Sequence, residues 1–250
     1  MTGAIGPVEL ERIASHGWRG TSVEALGDWL LRAGSGFTGR ANSVLPLGFP
    51  GCALDDALVV VEEFYRRHEL TPMFQMPVGP ETDSLQRDLT DLGWAPFNHS
   101  WVLVADLDPA IAAAPPAAGL PGATFADRPS AQWLAGYVYR GARLPASAVA
   151  VLENADNLVF CSLADAGGQV AVARGVVTDG WLGITAVTVD DARRRGGVGR
   201  HLMGELMRWA HDRGARRAYL QVADENVAAL GFYDRLGFVR HHPYHYRRPS

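Results

Sequence analysis

The two halves of this chain carry matching sequence features, and this repeat is the strongest limit on the folds open to it. Apolar, aromatic and glycine positions recur at a spacing of 144 residues. The matched positions include Gly36 and Gly180, Leu58 and Leu202, Leu92 and Leu236, and Gly93 and Gly237. A fixed period over several elements is the signature of a repeated structural unit. We therefore predict an internal duplication, in which each copy contains a hairpin, a helix, a strand, a second helix and a final strand.

A segment rich in Ala and Pro separates the two copies. Residues 107–122 contain four prolines, a composition typical of a partly extended linker. We therefore expect an N-terminal domain over residues 1–106, a linker over residues 107–122 and a C-terminal domain over residues 123–250.

The second copy alternates strand and helix patterns. Strands are predicted over residues 123–126, 157–164, 170–177, 181–189, 217–222 and 238–246, and helices over residues 131–140, 146–155, 199–213 and 226–236. Early hairpin turns and later helical crossovers imply a sheet with both antiparallel and parallel strands. We therefore predict an α/β fold with a mixed sheet and two similar domains, of which the C-terminal one is complete.

The composition is that of an ordinary globular protein. Of the 250 residues, 48% are hydrophobic and 20% are charged, and the net charge of −4 argues against a general nucleic-acid binder. We see no signal-peptide pattern and no apolar stretch of membrane-spanning length. The expectation is a cytoplasmic monomer or homodimer with no membrane or nucleic-acid partner, in which Cys52 and Cys161 are reduced thiols.

A basic, glycine-rich turn at residues 193–200 is the main candidate for a ligand site. It follows an apolar strand pattern over residues 184–189 and precedes the helical spacing of Leu202, Leu206 and Trp209. Glycines let backbone N–H groups approach an anion, and a helix N-terminus adds about half a positive charge. The turn therefore predicts a site for a phosphorylated ligand, with a solvent-exposed basic loop as the alternative.

The first copy lacks these polar groups at the matched positions. Residues 48–55 contain no arginine, and Asp55 stands at the position of Gly199. A carboxylate there would repel a pyrophosphate. Leu89 stands at the position of Tyr233. We therefore predict that the first copy is non-catalytic and serves in packing, substrate enclosure or pseudo-symmetry.

A second glycine-rich segment, residues 34–39, has the formal spacing of a dinucleotide-binding fingerprint. A strand-like pattern over residues 40–47 follows it instead of a helix, so we predict a hairpin at this point. Arg40 and Asn42 on that strand are either substrate contacts at the seam between the halves or exposed strand positions. The sequence leaves both interpretations open.

Two motifs of the second copy occur together in one known family. Arg194, Gly197 and Gly199 fit the signature Q/R-x-x-G-x-G/A, and residues 226–238 fit an Asn…Tyr-x-x-x-Gly-Phe segment. In these features residues 123–247 resemble the GNAT superfamily of N-acetyltransferases. The whole chain also resembles two-domain actinobacterial members, whose N-terminal half is a degenerate GNAT-like domain. The resemblance thus implies a tandem GNAT-like fold.

The resemblance also implies acetyl-CoA as the acyl donor. The end of the strand at residues 181–189 would offer backbone groups to the pantetheine arm, the turn would hold the pyrophosphate, and an asparagine would lie near the pantetheine or thioester. The residues implied to bind acetyl-CoA are Val187, Thr188, Val189, Arg194, Arg195, Gly196, Gly197, Val198, Gly199, Arg200 and Asn226.

Tyr233 is the candidate catalytic residue. A tyrosine side chain with a pKa of about 10 is protonated at neutral pH, so it can supply the proton that a departing thiolate needs. Its helical spacing alone favours a core aromatic, whereas its position in the family motif favours a catalytic or thiol-contacting role.

The general base is not assigned by the sequence. The candidates are Asp179, Asp190, Asp224, Glu225, a histidine of residues 240–247, or a water chain. His241 and His245 have no cysteine or carboxylate at metal-ligand spacing, so no metal is expected.

The motifs together predict an acetyl-CoA-dependent N-acetyltransferase that acts on a primary amine by direct transfer. The two-domain form slightly favours a small-molecule acceptor over a protein. Two alternatives remain open: a non-catalytic acetyl-CoA-binding regulator, and an enzyme that uses another acyl donor.

Overall fold

A computed structural model describes residues 5–139 and 141–250, and in them eleven strands form one mixed sheet. The strands are β1 Ser22–Leu26, β2 Trp29–Ala33, β3 Val44–Pro46, β4 Phe74–Pro77, β5 Trp94–Asp106, β6 Ala123–Ala126, β7 Leu158–Asp165, β8 Gly168–Thr178, β9 Trp181–Val189, β10 Arg217–Ala223 and β11 Val239–Pro249. The helices are α1 Pro7–Gly17, α2 Leu54–Arg67, α3 Asp83–Asp91, α4 Leu107–Ala113, α5 Ala131–Gly136, α6 Ala148–Glu153, α7 Val198–His211 and α8 Val227–Asp234. This architecture confirms the predicted α/β fold with a mixed sheet.

Two helices of the first half match two of the second in position, as the predicted duplication requires. Helices α2 and α7 each contain 14 residues, and their first residues, Leu54 and Val198, are 144 positions apart. Helices α3 and α8 begin at Asp83 and Val227, at the same spacing.

The last strands of the two halves are exchanged within the sheet. Strand β11 of the second half lies between β4 and β5 of the first, and β5 lies between β11 and β10. In this antiparallel pair Val239 lies opposite Val104, and Arg248 lies opposite Ala95. These pairs are related by the 144-residue repeat, so the pairing has an approximate two-fold symmetry. Each half thus completes its part of the sheet with the last strand of the other.

Residues 107–122 are not extended throughout. Residues Leu107–Ala113 form α4, in which Leu107 and Ala110 are buried. The α7 side chain of Arg208 donates to the Ala114 carbonyl at 3.0 Å. The predicted linker therefore packs at its start against the long helix of the second half.

Residues 34–43 join the antiparallel strands β2 and β3, so a hairpin forms here as predicted, but the strand begins later than predicted. Arg40 and Asn42 lie in a 3₁₀ turn, and β3 starts only at Val44, so the prediction that they lie on a strand is wrong. The Asn42 side chain accepts from the backbone N–H groups of Gly34 and Gly36 at 2.7 and 2.9 Å. Its Nδ2 donates to the carbonyls of two further loop residues. Asn42 is therefore a structural residue that fixes this loop by hydrogen bonds.

The two faces of the sheet are covered by different helices. Helices α4 and α7 cover one face, where Leu202 and Leu206 join the main core. Helix α1 covers the other face at the exchanged strands, where Leu10 packs with Tyr219 and Tyr244. Among the helices described, none combines the length and hydropathy that a membrane span requires.

Candidate functional site

Strands β9 and β10 separate towards their carboxyl ends, and this opens the centre of the sheet. Their parallel pairing runs from Trp181 opposite Arg217 to Ile184 opposite Leu220, and β9 then continues without β10 beside it. Ala186 has a φ of 56° and lies where the β8–β9 register shifts. Such a bulge bends a strand and ends its pairing.

The gap between the strands leads into a cavity of 1320 Å³. Its walls come from the end of β9, the following turn, the start of α7, one side of α8 and the segment after α5. The predicted residues that line it are Val187, Thr188, Val189, Arg194, Arg195, Gly197, Val198, Gly199, Arg200, Asn226 and Tyr233. Gly196 lies in the same turn but does not line the cavity. The fold thus brings the residues of both family motifs around one space.

The turn before α7 presents backbone N–H groups that have no partner in the protein. Among the described residues, no amide of residues 195–200 donates to another protein group, and the first helical bond runs from His201 N to Gly197 O. Gly197, the residue before the helix, has a φ of 77°, and Arg195 has a φ of 64°. Consecutive amides at a helix N-terminus form a binding site for a phosphate group.

Most arginine side chains of the turn are held by the protein itself. Arg193 contacts Asp165 at 2.5 Å and Arg194 contacts Asp191 at 2.7 Å. The Nε of Arg200 donates to a carbonyl of α4 at 2.6 Å. The backbone of the turn, rather than these guanidinium groups, is therefore the part best placed to bind an anion.

Tyr233 lies both in the main core and at the wall of the cavity. Its ring packs in the main core, at 5.1 Å from Phe232 and 5.8 Å from Phe238 between ring centroids, yet it also lines the cavity. Burial raises the pKa of its hydroxyl well above the ordinary value. The phenol therefore keeps its proton at neutral pH and can act as a proton donor.

Asn226 caps the N-terminus of α8. Its Oδ1 accepts from the backbone N–H of Ala229 at 3.1 Å. The Nδ2 group of the same side chain is the part that can still contact a ligand in the cavity.

The carboxylates considered as bases lie in different places. Asp179 lies in the β8–β9 turn, at the end of β9 away from the cavity. Asp190 accepts from Ala192 N at 2.9 Å, and Asp224 accepts from an indole N–H at 2.9 Å. Glu225 is the candidate carboxylate that lines a second cavity, described below.

The histidines of β11 are engaged within the protein. His241 lies 2.9 Å from the Ile5 carbonyl through its Nε2. Burial, together with the charges of Arg247 and His99, lowers the pKa of His245 to about 4. His245 is therefore neutral, and a weak base, at pH 7. The described residues include no group of three or more possible metal ligands.

A second cavity, of 550 Å³, lies at the seam between the halves. Its lining includes Arg40, Tyr137, Tyr139 and Glu225. Arg40 was a candidate substrate contact and Glu225 a candidate base from the sequence, whereas the two tyrosines were not predicted. Their pattern, two aromatic residues separated by one position after a short helix, was a visible but unspecific signal.

Comparison with known proteins places the chain in a family. A family model described as "Probable histone acetyltransferase Rv0428c C-terminal" matches residues 6–247. The chain belongs to this family. It is therefore an N-acetyltransferase of the GNAT superfamily, as its two motifs predicted.

Similar proteins match over nearly the whole chain. "Probable histone acetyltransferase Rv0428c" of Mycobacterium tuberculosis is 33% identical over 93% of this chain and 70% of its own length. "Uncharacterized N-acetyltransferase YobR" of Bacillus subtilis is 26% identical over 96% of this chain and 97% of its own length. In fold, the chain is similar to a GCN5-related N-acetyltransferase from Kribbella flavida. The TM-score is 0.69 at 16% identity, and the match covers 99% of this chain and 97% of the other. It is also similar in fold to a tandem GNAT protein of clavulanic acid biosynthesis, with a TM-score of 0.62 at 14% identity, over 77% of this chain and 68% of the other.

Proposed function

We propose that this GNAT protein moves the acetyl group of acetyl-CoA to the primary amine of a small molecule. The observation that carries the proposal is the row of unpartnered amides at residues 195–200, in a cavity that also reaches Tyr233. A pyrophosphate matches such a row in charge and in hydrogen-bonding geometry.

The strand end supplies groups for the rest of the donor. Asp190 N donates to Val170 O on β8. Because successive amides of a strand point to opposite sides, the N–H of Val189 points away from β8 and into the gap. In the proposal this amide donates to the thioester carbonyl and stabilises its oxyanion, while the backbone from Val187 onward contacts the pantetheine arm.

The transfer itself needs one proton at the sulfur. The lone pair of the neutral amine forms the new C–N bond, the C–S bond breaks, and the thiolate takes the proton of the Tyr233 hydroxyl. The amine nitrogen loses one proton as the amide forms, and a proton from solvent returns the tyrosinate to the neutral phenol. The products are the amide and CoA, and one proton is released overall for each ammonium consumed.

Calorimetric titration with acetyl-CoA tests the binding step, and CoA release with a panel of amines tests transfer. We expect saturable binding and amine-dependent CoA release. No heat at millimolar acetyl-CoA would exclude the donor. Binding without CoA release from any amine would support a regulatory protein instead. Turnover of propionyl-CoA or succinyl-CoA in preference to acetyl-CoA would replace the proposed donor.

The size of the second cavity supports a small acceptor, since ligand pockets usually enclose about 300–1,000 Å³. The description of the family supplies a second candidate, a lysine side chain of a basic protein. Lysine peptides with a basic histone-like sequence, compared with small amines at equal concentration, distinguish the two acceptors.

A further inference from the structure

The second cavity adjoins the larger one at the end of β10. Gly136 and Asn226 line the larger cavity, while their chain neighbours Tyr137 and Glu225 line the smaller one. From the other half of the chain, Arg40 completes the lining of the smaller cavity. A molecule in this space therefore lies beside the proposed donor site and contacts both halves.

Arg40 brings a positive charge to this cavity. Its Nη1 donates to Oε1 of Gln221, and its Cζ lies 4.8 Å from the ring centroid of Trp18. Both partners are uncharged, and within the described residues Arg40 forms no ion pair. A guanidinium that is half-buried beside neutral groups attracts an anion, and its planar fork fits a carboxylate or phosphate.

A second arginine without an ion-pair partner among the described residues, Arg174, contacts the same indole. The Cζ of Arg174 lies 5.1 Å from the Trp18 ring, and the side chain is fully buried. Two of its nitrogens donate to backbone carbonyls, while Nη2 has no hydrogen-bond partner in the described structure. The charge of Arg174 therefore adds to that of Arg40 near Trp18.

One carboxylate, that of Glu225, appears among the described residues that line this cavity. It directly precedes Asn226, which caps α8 at the edge of the larger cavity. A carboxylate near the donor side attracts an ammonium group, whereas Arg40 attracts an anion.

We propose that the acceptor is an amine that also carries an anionic group, a carboxylate or a phosphate. The anionic group pairs with Arg40, and the amine lies on the side of Glu225, towards the donor. This inference rests on the proposed acetyl transfer, since it names the acceptor of that reaction. Arg40 acts as a specificity residue, contributed to the site by the non-catalytic half.

Matched acceptor pairs test the proposal. Glycine with glycinamide and lysine with lysinamide test a carboxylate, and glucosamine phosphate with glucosamine tests a phosphate. We expect kcat/KM to favour the anionic member of at least one pair by about tenfold, which corresponds to about 1.4 kcal/mol. Arg40→Gln should remove this preference, whereas Arg40→Lys should keep part of it because the charge remains.

The control is Arg12→Gln, since Arg12 is an exposed arginine on α1 that pairs with Glu9 at 3.5 Å, away from both cavities. It should leave the preference unchanged. Unchanged acetyl-CoA affinity in Arg40→Gln would show that this variant is folded. Equal kcat/KM within every pair, or a preference that survives in Arg40→Gln, would overturn the inference. So would a basic lysine peptide that exceeds every anionic amine.

A binding readout separates this inference from the proposed reaction. The same pairs are titrated calorimetrically into wild-type protein and Arg40→Gln at saturating CoA. If no amine is acetylated but the anionic members bind more tightly to wild type alone, the proposed reaction fails and the anion site stands. If amines are acetylated with no anionic preference, the reaction stands and the anion site fails.

Discussion

The starts of α2 and α7 occupy matched positions, yet of the two only the start of α7 lines either of the cavities described above. Before α7 the turn amides are free and Gly197 is left-handed. Before α2 the loop folds back on the β1–β2 turn, where Asp28 N donates to Phe49 O at 2.8 Å. Trp29 Nε1 also donates to Gly48 O at 2.9 Å. The two helices have the same length, so the difference in anion binding is expected from the preceding loop and from the first helical turn, which has Asp55 in α2 and Gly199 in α7.

The largest effect on activity should come from Tyr233, since the matched residue of the first copy, Leu89, has no proton to donate. Tyr233→Phe removes the proton donor but keeps the ring in the core. We expect kcat to fall by about a thousandfold, within the range for general acid catalysis, and acetyl-CoA affinity to change by less than about threefold. Steady-state kinetics and calorimetry measure the two quantities.

The matched control for that variant is Tyr65→Phe, since the Tyr65 hydroxyl donates to the Arg32 carbonyl inside the first half. It should lower stability without lowering kcat. An unchanged kcat in Tyr233→Phe would remove Tyr233 from the mechanism.

The second largest effect is expected when a carboxylate is placed at the start of α7, as it is at the start of α2. Gly199→Asp places in α7 the residue that α2 has as Asp55. A Cβ at Gly199 would lie 3.4 Å from Phe232, an ordinary contact, so charge rather than bulk should dominate. We expect acetyl-CoA affinity to fall about thirtyfold, as two negative groups would share one helix N-terminus. Gly199→Asn is the neutral control, and an equal loss in both variants would contradict the electrostatic account.

A smaller effect is expected at the residue before each helix. Gly197→Ala forces a side chain into the left-handed region, at a cost of about 1–2 kcal/mol, and should lower Tm by about 2–8 °C. The matched residue Ala53 has an extended backbone. Ala53→Gly should cost less, about 0.5–1 kcal/mol from chain entropy. Thermal unfolding of both variants tests this order, and the reverse order would refute it.

The smallest effect concerns pH and the final strand of the second half. The pKa of His245 is lowered to about 4 by burial and by Arg247 and His99, against an unfolded value of about 6.5. The unfolded chain therefore binds more protons between these values, and stability is lost as pH falls from 6.5 towards 4. Tm of His245→Asn should depend less on pH over this window. An identical pH dependence in the variant would rule out His245 as its source.

Local patterns predicted helices α7 and α8 and the glycine-rich turn before α7, because each depends on residues that are close together in the chain. The spacing of apolar residues predicted α7. The turn before it was predicted because its glycines, Gly196 and Gly197, are adjacent in the sequence. The loop at Arg40 was mispredicted because the hydrogen bonds of Asn42, not strand propensity, fix it. The seam cavity was not predicted because its walls come from segments far apart in the chain.

The strand exchange was also beyond the sequence patterns, because β5 and β11 are similar and either could lie beside β4 or β10. This arrangement affects how the chain can reach its native state. The first half leaves the ribosome before β11 has been synthesised, so the β4 edge of its sheet stays unpaired until the second half has followed. The pairing of β11 with β4 joins segments far apart in the sequence, which predicts slow folding. If the two halves were expressed as separate fragments, they would have to associate before either could complete its part of the sheet.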